Sequence, residues 1–109
     1  MQSVQHPNLM SGRWQKLSFC EQMANIGSEI ERTIKWRNKD HPDYANQAFE
    51  RGLELLALTI NSQTQYSKLK ELTRLRECLL DFFLGNNQYH STQESWQKYF
   101  YNFNYLARK

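Results

Sequence analysis

The 109-residue chain holds two prolines and four glycines, and none of them cluster. Without such breakers, long stretches stay open to helix, while β-branched residues rarely run together and give strands little support. Cys20 and Cys78 stand alone, so neither a CxxC pair nor a disulfide framework is available. They read as reduced, partly buried thiols. No apolar run approaches the ~18 residues of a membrane helix. The opening MQSVQHPNLMSG lacks a basic segment followed by an apolar one. Neither a membrane contact nor a signal peptide is expected, and the expected location is cytoplasmic.

Chemistry-bearing patterns are equally sparse. The histidines, His6, His41 and His90, fall in the expected arm or loops, and no Glu-x-x-His pair occurs. Glu21, Glu29, Glu50, Glu54, Glu71 and Glu77 lie mainly off the apolar stripes, so the expected count of metals and cofactors is none. A phosphate loop, a Gly-rich dinucleotide turn and a nucleophile elbow are all missing. Ser91 and Ser95 have no histidine at a motif spacing, and His90 reads as a turn residue. Fourteen basic against eleven acidic residues give +3, a weaker concentration of charge than nucleic-acid proteins carry.

What remains is rich in Leu, Glu, Lys, Gln and Arg, with 39% hydrophobic and 14% aromatic residues. That composition fits one globular all-α domain, residues 13–109, behind a flexible arm of residues 1–12. Phe19, Met23, Ile26, Ile30, Thr33 and Ile34 place a first helix at about Trp14 to Arg37. Pro42 opens a second, to about Asn61, with Asp40 or His41 as cap and Asp43 in its first turn. Its stripe is Ala45, Phe49, Gly52, Leu53, Leu56 and Ile60. A third runs from about Lys68 to Leu84, burying Leu72, Leu75, Leu79, Phe82 and Phe83 before Gly85 at C′. Ser91 and Glu94 form a capping box for a fourth, ending near Ala107. The expected fold is a four-helix antiparallel bundle built from two helical hairpins. Folding the first hairpin about residues 39 and 40 brings Gly27 opposite Gly52. Both lie on apolar stripes, which predicts a close helix crossing there.

Three patterns invite functional readings. Arg37, His41 and Tyr44 share RNKDHPDY, which resembles the arginine–histidine motif of the HEPN ribonucleases, a family of helical bundles. That resemblance implies RNA cleavage or a toxin–antitoxin role using these three residues. Here three residues separate Arg37 from His41, fewer than the family's spacing, and the motif lies in the first interhelical corner rather than late in the chain. Basic residues against a helix C-terminus, followed by a capped restart, account for the same pattern structurally. KWRNK interleaves Trp36 with basic residues, a stacking patch for RNA, although basic and acidic residues alternate elsewhere, as in KLKELTRLRE. Together, EQMANIGSEIERTIKWR and LRECLLDFFLGNNQYHSTQESWQKYFYNFNYLAR resemble small all-helical proteins of bacteria and archaea with no assigned activity. That resemblance implies one compact helical domain and transfers no catalytic residue.

The third pattern is aromatic. Trp96, Tyr99, Phe100, Phe103, Leu106 and Ala107 share one face of the last helix, the core face. Tyr101 and Tyr105 lie on the other side, among Glu94, Lys98 and Arg108. Trp14 and Trp36 likewise fall away from the first helix's stripe. A monomer rarely exposes so much aromatic surface. Trp14, Trp36, Tyr101 and Tyr105 are therefore expected at a homodimer interface, unless the arm folds back over them. The resulting expectation is a non-enzymatic, self-associating interaction protein, with another protein or RNA as the further partners considered.

Overall fold

The computed structural model describes residues 12–108. The expected arm lies outside them except for Gly12, as does any cover it gives to the aromatic patch. Among the described residues there are five helices and no strand, where four helices were expected. Residues 12–14 (α1) are helical, followed by α2 (Phe19–Asn38), α3 (Pro42–Asn61), α4 (Tyr66–Leu84) and α5 (Gln93–Ala107).

The extra helix arises because the expected first helix breaks at residues 15–18. Ser18 caps the new start: its Oγ accepts from Glu21 N–H at 3.1 Å, and Glu21 Oε1 accepts from Ser18 N–H at 2.8 Å. Satisfying two orphan donors at once makes this a strong start signal. The break lets Trp14 turn inward. Its Nε1–H donates to Thr59 Oγ1 at 2.8 Å, and its carbonyl accepts from Gln22 Nε2 at 2.8 Å. Trp14 is a core residue, 5% exposed. It is thereby removed from the expected interface, because an indole on α1 reaches the α2–α3 groove once the backbone bends.

α3 begins at Pro42 with His41 at the N-cap, as expected, and Asp43 faces the positive dipole end. α5 begins later than expected. Thr92 and Ser95 form its capping box, with Ser95 N–H to Thr92 Oγ1 at 3.0 Å and Thr92 N–H to Ser95 Oγ at 2.9 Å. Ser91 stands one residue before the cap, its backbone tied to Asn87, whose Oδ1 accepts Ser91 N–H at 2.8 Å while its Nδ2 donates to Ser91 O at 3.0 Å. Asp81 orders the same loop, its carboxylate accepting from the backbone of Gln88 and Tyr89.

The core gathers Met23, Ile26, Ile30, Ile34, Phe49, Leu55, Leu56, Leu72, Leu75, Leu79, Trp96 and Phe100. α2 is its centre, since its backbone comes close to both α3 and α5, whereas that of α4 approaches α3 only sparsely. α4 and α5 are therefore not the tight second hairpin that was expected. They meet through large side chains, with Phe82 and Trp96 rings 6.4 Å apart and Tyr99 Oη donating to Glu71 Oε2 at 2.8 Å. Bulky rings hold the axes apart.

The two mid-helix glycines each face a neighbouring helix, but not each other. A Cβ on Gly27 meets Phe100 Cβ of α5 at 2.7 Å, whereas one on Gly52 meets Glu29 Cβ and Ile30 Cδ1 of α2 at 3.4 Å. The hairpin register is slipped by about half a turn from the one expected, and Gly27 turns to α5 instead. Glu29 pairs with Arg51 of α3 across this contact at 3.3 Å and with Arg32 of its own helix at 3.0 Å.

Two predictions follow from this packing. Gly27→Ala is expected to lower stability by about 1–2 kcal/mol despite its gain in helix propensity, because the Phe100 stem cannot retreat. Gly52→Ala is expected to be neutral or stabilising by up to about 1 kcal/mol, its contacts being ordinary ones. Thermal melting of both variants checks this, and equal shifts would contradict it. The second concerns Tyr99. Burial, then the hydrogen bond and negative charge of Glu71, push its phenol well above the usual value. A folded-state pKa above the unfolded one means stability present below pH ~10 and lost as pH rises beyond it. Melting temperature should fall less steeply above pH ~10 in Tyr99→Phe than in the parent. Parallel slopes would remove Tyr99 from the account.

Candidate functional site

The α2–α3 corner collects most of the residues that resemble the ribonuclease motif. Asp40 takes a left-handed turn, φ 65°, and His41 N–H donates to Trp36 O at 2.9 Å, which folds α3 back beside the last turn of α2. The Trp36 ring then lies 4.9 Å from Tyr44 and 5.4 Å from His41, with Lys35 and Lys39 amines 5.9 and 5.6 Å from its centroid. Trp36 is half-buried in this cluster, whereas Tyr44 is exposed.

Arg37 takes another direction. One residue further on, the helix turns by about 100°, and the guanidinium carbon stands 5.4 Å from the Phe82 ring and 5.2 Å from that of Phe83. The corner thus brings His41 and Tyr44 together and commits Arg37 to α4. Acid–base catalysis on RNA needs the basic groups convergent on one substrate. Here they face different neighbours, and the Arg37 stack ties the C-terminal end of α2 to α4.

The second candidate is the outer face of α5. Trp96 and Phe100 are buried against α2 and α4, and this fixes the rotation of the helix. Tyr101 and Tyr105 consequently point away from the core, 63% and 54% exposed. Glu94, Lys98 and Arg108 are exposed as well. Leu106, expected in the core, is 49% exposed. Phe103 already meets Phe19, the first residue of α2, at 6.0 Å. Leu106 therefore extends about a turn past the start of α2 and has less to pack on.

Beside Tyr101 an open groove of about 570 Å³ runs between α2 and α5. Ala24, Gly27 and Ser28 keep its α2 wall low, Phe100 and Tyr101 form the α5 wall, and Glu31 and Lys35 stand on the rim. Gln97 Nε2 reaches Glu31 Oε2 across it at 3.3 Å. The groove's polar side chains do not converge on a point, as a small-molecule site requires. Tyr66, Leu84 and Tyr89 are further exposed apolar residues that the sequence reading did not single out; Tyr89 packs under Arg74 at 5.2 Å.

Among the described residues no group of three or more His, Cys, Asp or Glu side chains is arranged to hold a metal ion, and no helix is long and apolar enough to cross a membrane. No protein-family model, curated protein or solved structure matches the chain.

Arg37→Ala is expected to lower stability by about 0.5–1 kcal/mol through loss of its stack on the two phenylalanines. Chemical denaturation checks the value; an unchanged midpoint would show that Arg37 holds nothing in place.

Proposed function

We propose that this chain is a non-enzymatic helical interaction protein that associates with a second copy of itself through the outer face of α5. The observation that carries the reading is the pair Tyr101 and Tyr105, side by side and more than half exposed on a helix whose other face is core. Tyrosine favours interfaces because it buries a large area while its hydroxyl keeps a polar contact at the rim. The face also mixes acid and base, so it has the means to complement itself. Trp36 contributes less than its sequence position suggests, being half-buried at the corner.

The ribonuclease-like alternative, with Arg37, His41 and Tyr44, draws support from the exposed aromatic corner and its lysines. It loses support from the stacking of Arg37 on Phe82 and Phe83. Self-association is the better reading.

Sedimentation decides it. The wild type is expected to be a dimer at micromolar concentration, and Tyr101→Glu/Tyr105→Glu a monomer of unchanged helix content. A monomeric wild type would overturn the proposal.

A further inference from the structure

The outer face of α5 carries a charge pattern of its own. Glu94, Tyr101 and Arg108 are exposed and follow one another at intervals of seven residues. Seven residues are two turns, which return to within about 20° of the same direction. The three therefore form a line along the helix, with an acid near its start, a base at its end and an aromatic ring midway. Arg108 continues the helical path, since its backbone still has αR geometry.

We infer that two copies pair their α5 helices antiparallel about a two-fold axis at Tyr101, so that Glu94 of each copy meets Arg108 of the other. This rests on the self-association proposed above and assigns its orientation and register. A two-fold interface uses one patch twice, so every residue must be complemented by its mirror position about the axis. Positions equidistant from 101 satisfy this. Glu94 faces Arg108, Gln97 faces Tyr105, Lys98 faces Asn104, and Tyr101 faces itself. Both ends gain an ion pair, and no like charges meet.

The alternatives fare worse. A parallel pairing sets Glu94 against Glu94 and Arg108 against Arg108. An antiparallel pairing one turn along, with Tyr101 against Tyr105, sets Lys98 against Arg108. Each places like charges face to face, the device by which helical partners reject a wrong orientation. The groove beside Tyr101, with its low wall of Ala24 and Ser28, leaves room for the second copy's tyrosine to lie against α2.

The test is a charge swap read by sedimentation equilibrium at low salt, where exposed pairs are least screened. Glu94→Arg and Arg108→Glu alone should each weaken the dimer about tenfold, since each puts like charges at both ends. The double swap Glu94→Arg/Arg108→Glu should return to within about threefold of the wild-type dissociation constant. Mixing the two single variants should give a heterodimer tighter than either alone. Circular dichroism confirms folding, and the milder Glu94→Gln and Arg108→Gln serve if a reversal unfolds the chain; they should weaken the dimer less. A wild-type dimer indifferent to these changes, or not restored by the double swap, overturns the register and leaves self-association standing. A monomeric wild type removes both.

Discussion

The absence of a side chain at Gly27 sets the geometry on which the rest depends. With a Cβ there, Phe100 would be met at 2.7 Å, so α5 could not approach α2 as closely as it does. That close approach lets Phe100 and Trp96 both reach the core, and together they fix the rotation of α5 about its axis. Everything on the other side of α5 follows from that rotation. Tyr101 is turned about 100° from Phe100 and lies on the side away from Trp96 and Tyr99, so the rotation that buries those rings leaves it exposed. The outward face of α5 is thus a geometric consequence of the core contact.

α4 illustrates the opposite regime. Where glycine allows backbones to approach, contact is short and steric. Where Phe82, Phe83, Trp96 and Tyr99 fill the space, the helices stand apart and the rings supply the contact. Among the described residues Trp96 Nε1–H is buried with no hydrogen-bond partner, a penalty of about 1–3 kcal/mol by the usual measure. The burial of its ring against Phe82, Tyr99 and Phe100 offsets it. Arg37 belongs to this same layer, capping the Phe82–Phe83 pair from α2. Its charge therefore serves an edge of the core, which explains why a motif-like arginine is turned away from His41.

Helix existence was legible in the sequence, and α3 was read to its ends because Pro42 and the apolar stripe agree. The misreadings have local physical causes. Ser18 and Glu21 carry a capping-box signature, but the apolar periodicity runs through them, so the break at residues 15–18 went unread and Trp14 was left on the surface. At the other end, Ser91 and Glu94 match the same signature, and Thr92 with Ser95 won. The loop places Ser91 before the cap, its backbone bound to Asn87, a contact the signature does not reveal. Gly27 and Gly52 were expected opposite each other, but Gly27 faces Phe100 of α5 and Gly52 faces Glu29 and Ile30 of α2, because their partners depend on the hairpin register. Counting residues around a corner cannot fix that to within half a turn. Arg37, His41 and Tyr44 are near in sequence, and only the direction of each side chain shows that the first leaves the group.

Periodicity made the exposure of Tyr101 and Tyr105 on α5 legible, whereas that of Leu106 depends on where α2 begins. A helix of 15 residues is marginal by itself in water, so α5 draws its stability from the stripe it buries. Its opposite face is under no such demand, and solvation alone would favour charged or small polar residues there. Tyr101 and Tyr105 satisfy neither preference. They do satisfy the requirement of a second packing surface, for which a rigid aromatic body with a polar tip is suited. If that surface binds a second copy, α5 becomes buried on two sides and association stabilises the fold through mass action. Within its own chain the last helix is held by Trp96 and Phe100 in the core, by Tyr99 on Glu71 and by Phe103 on Phe19.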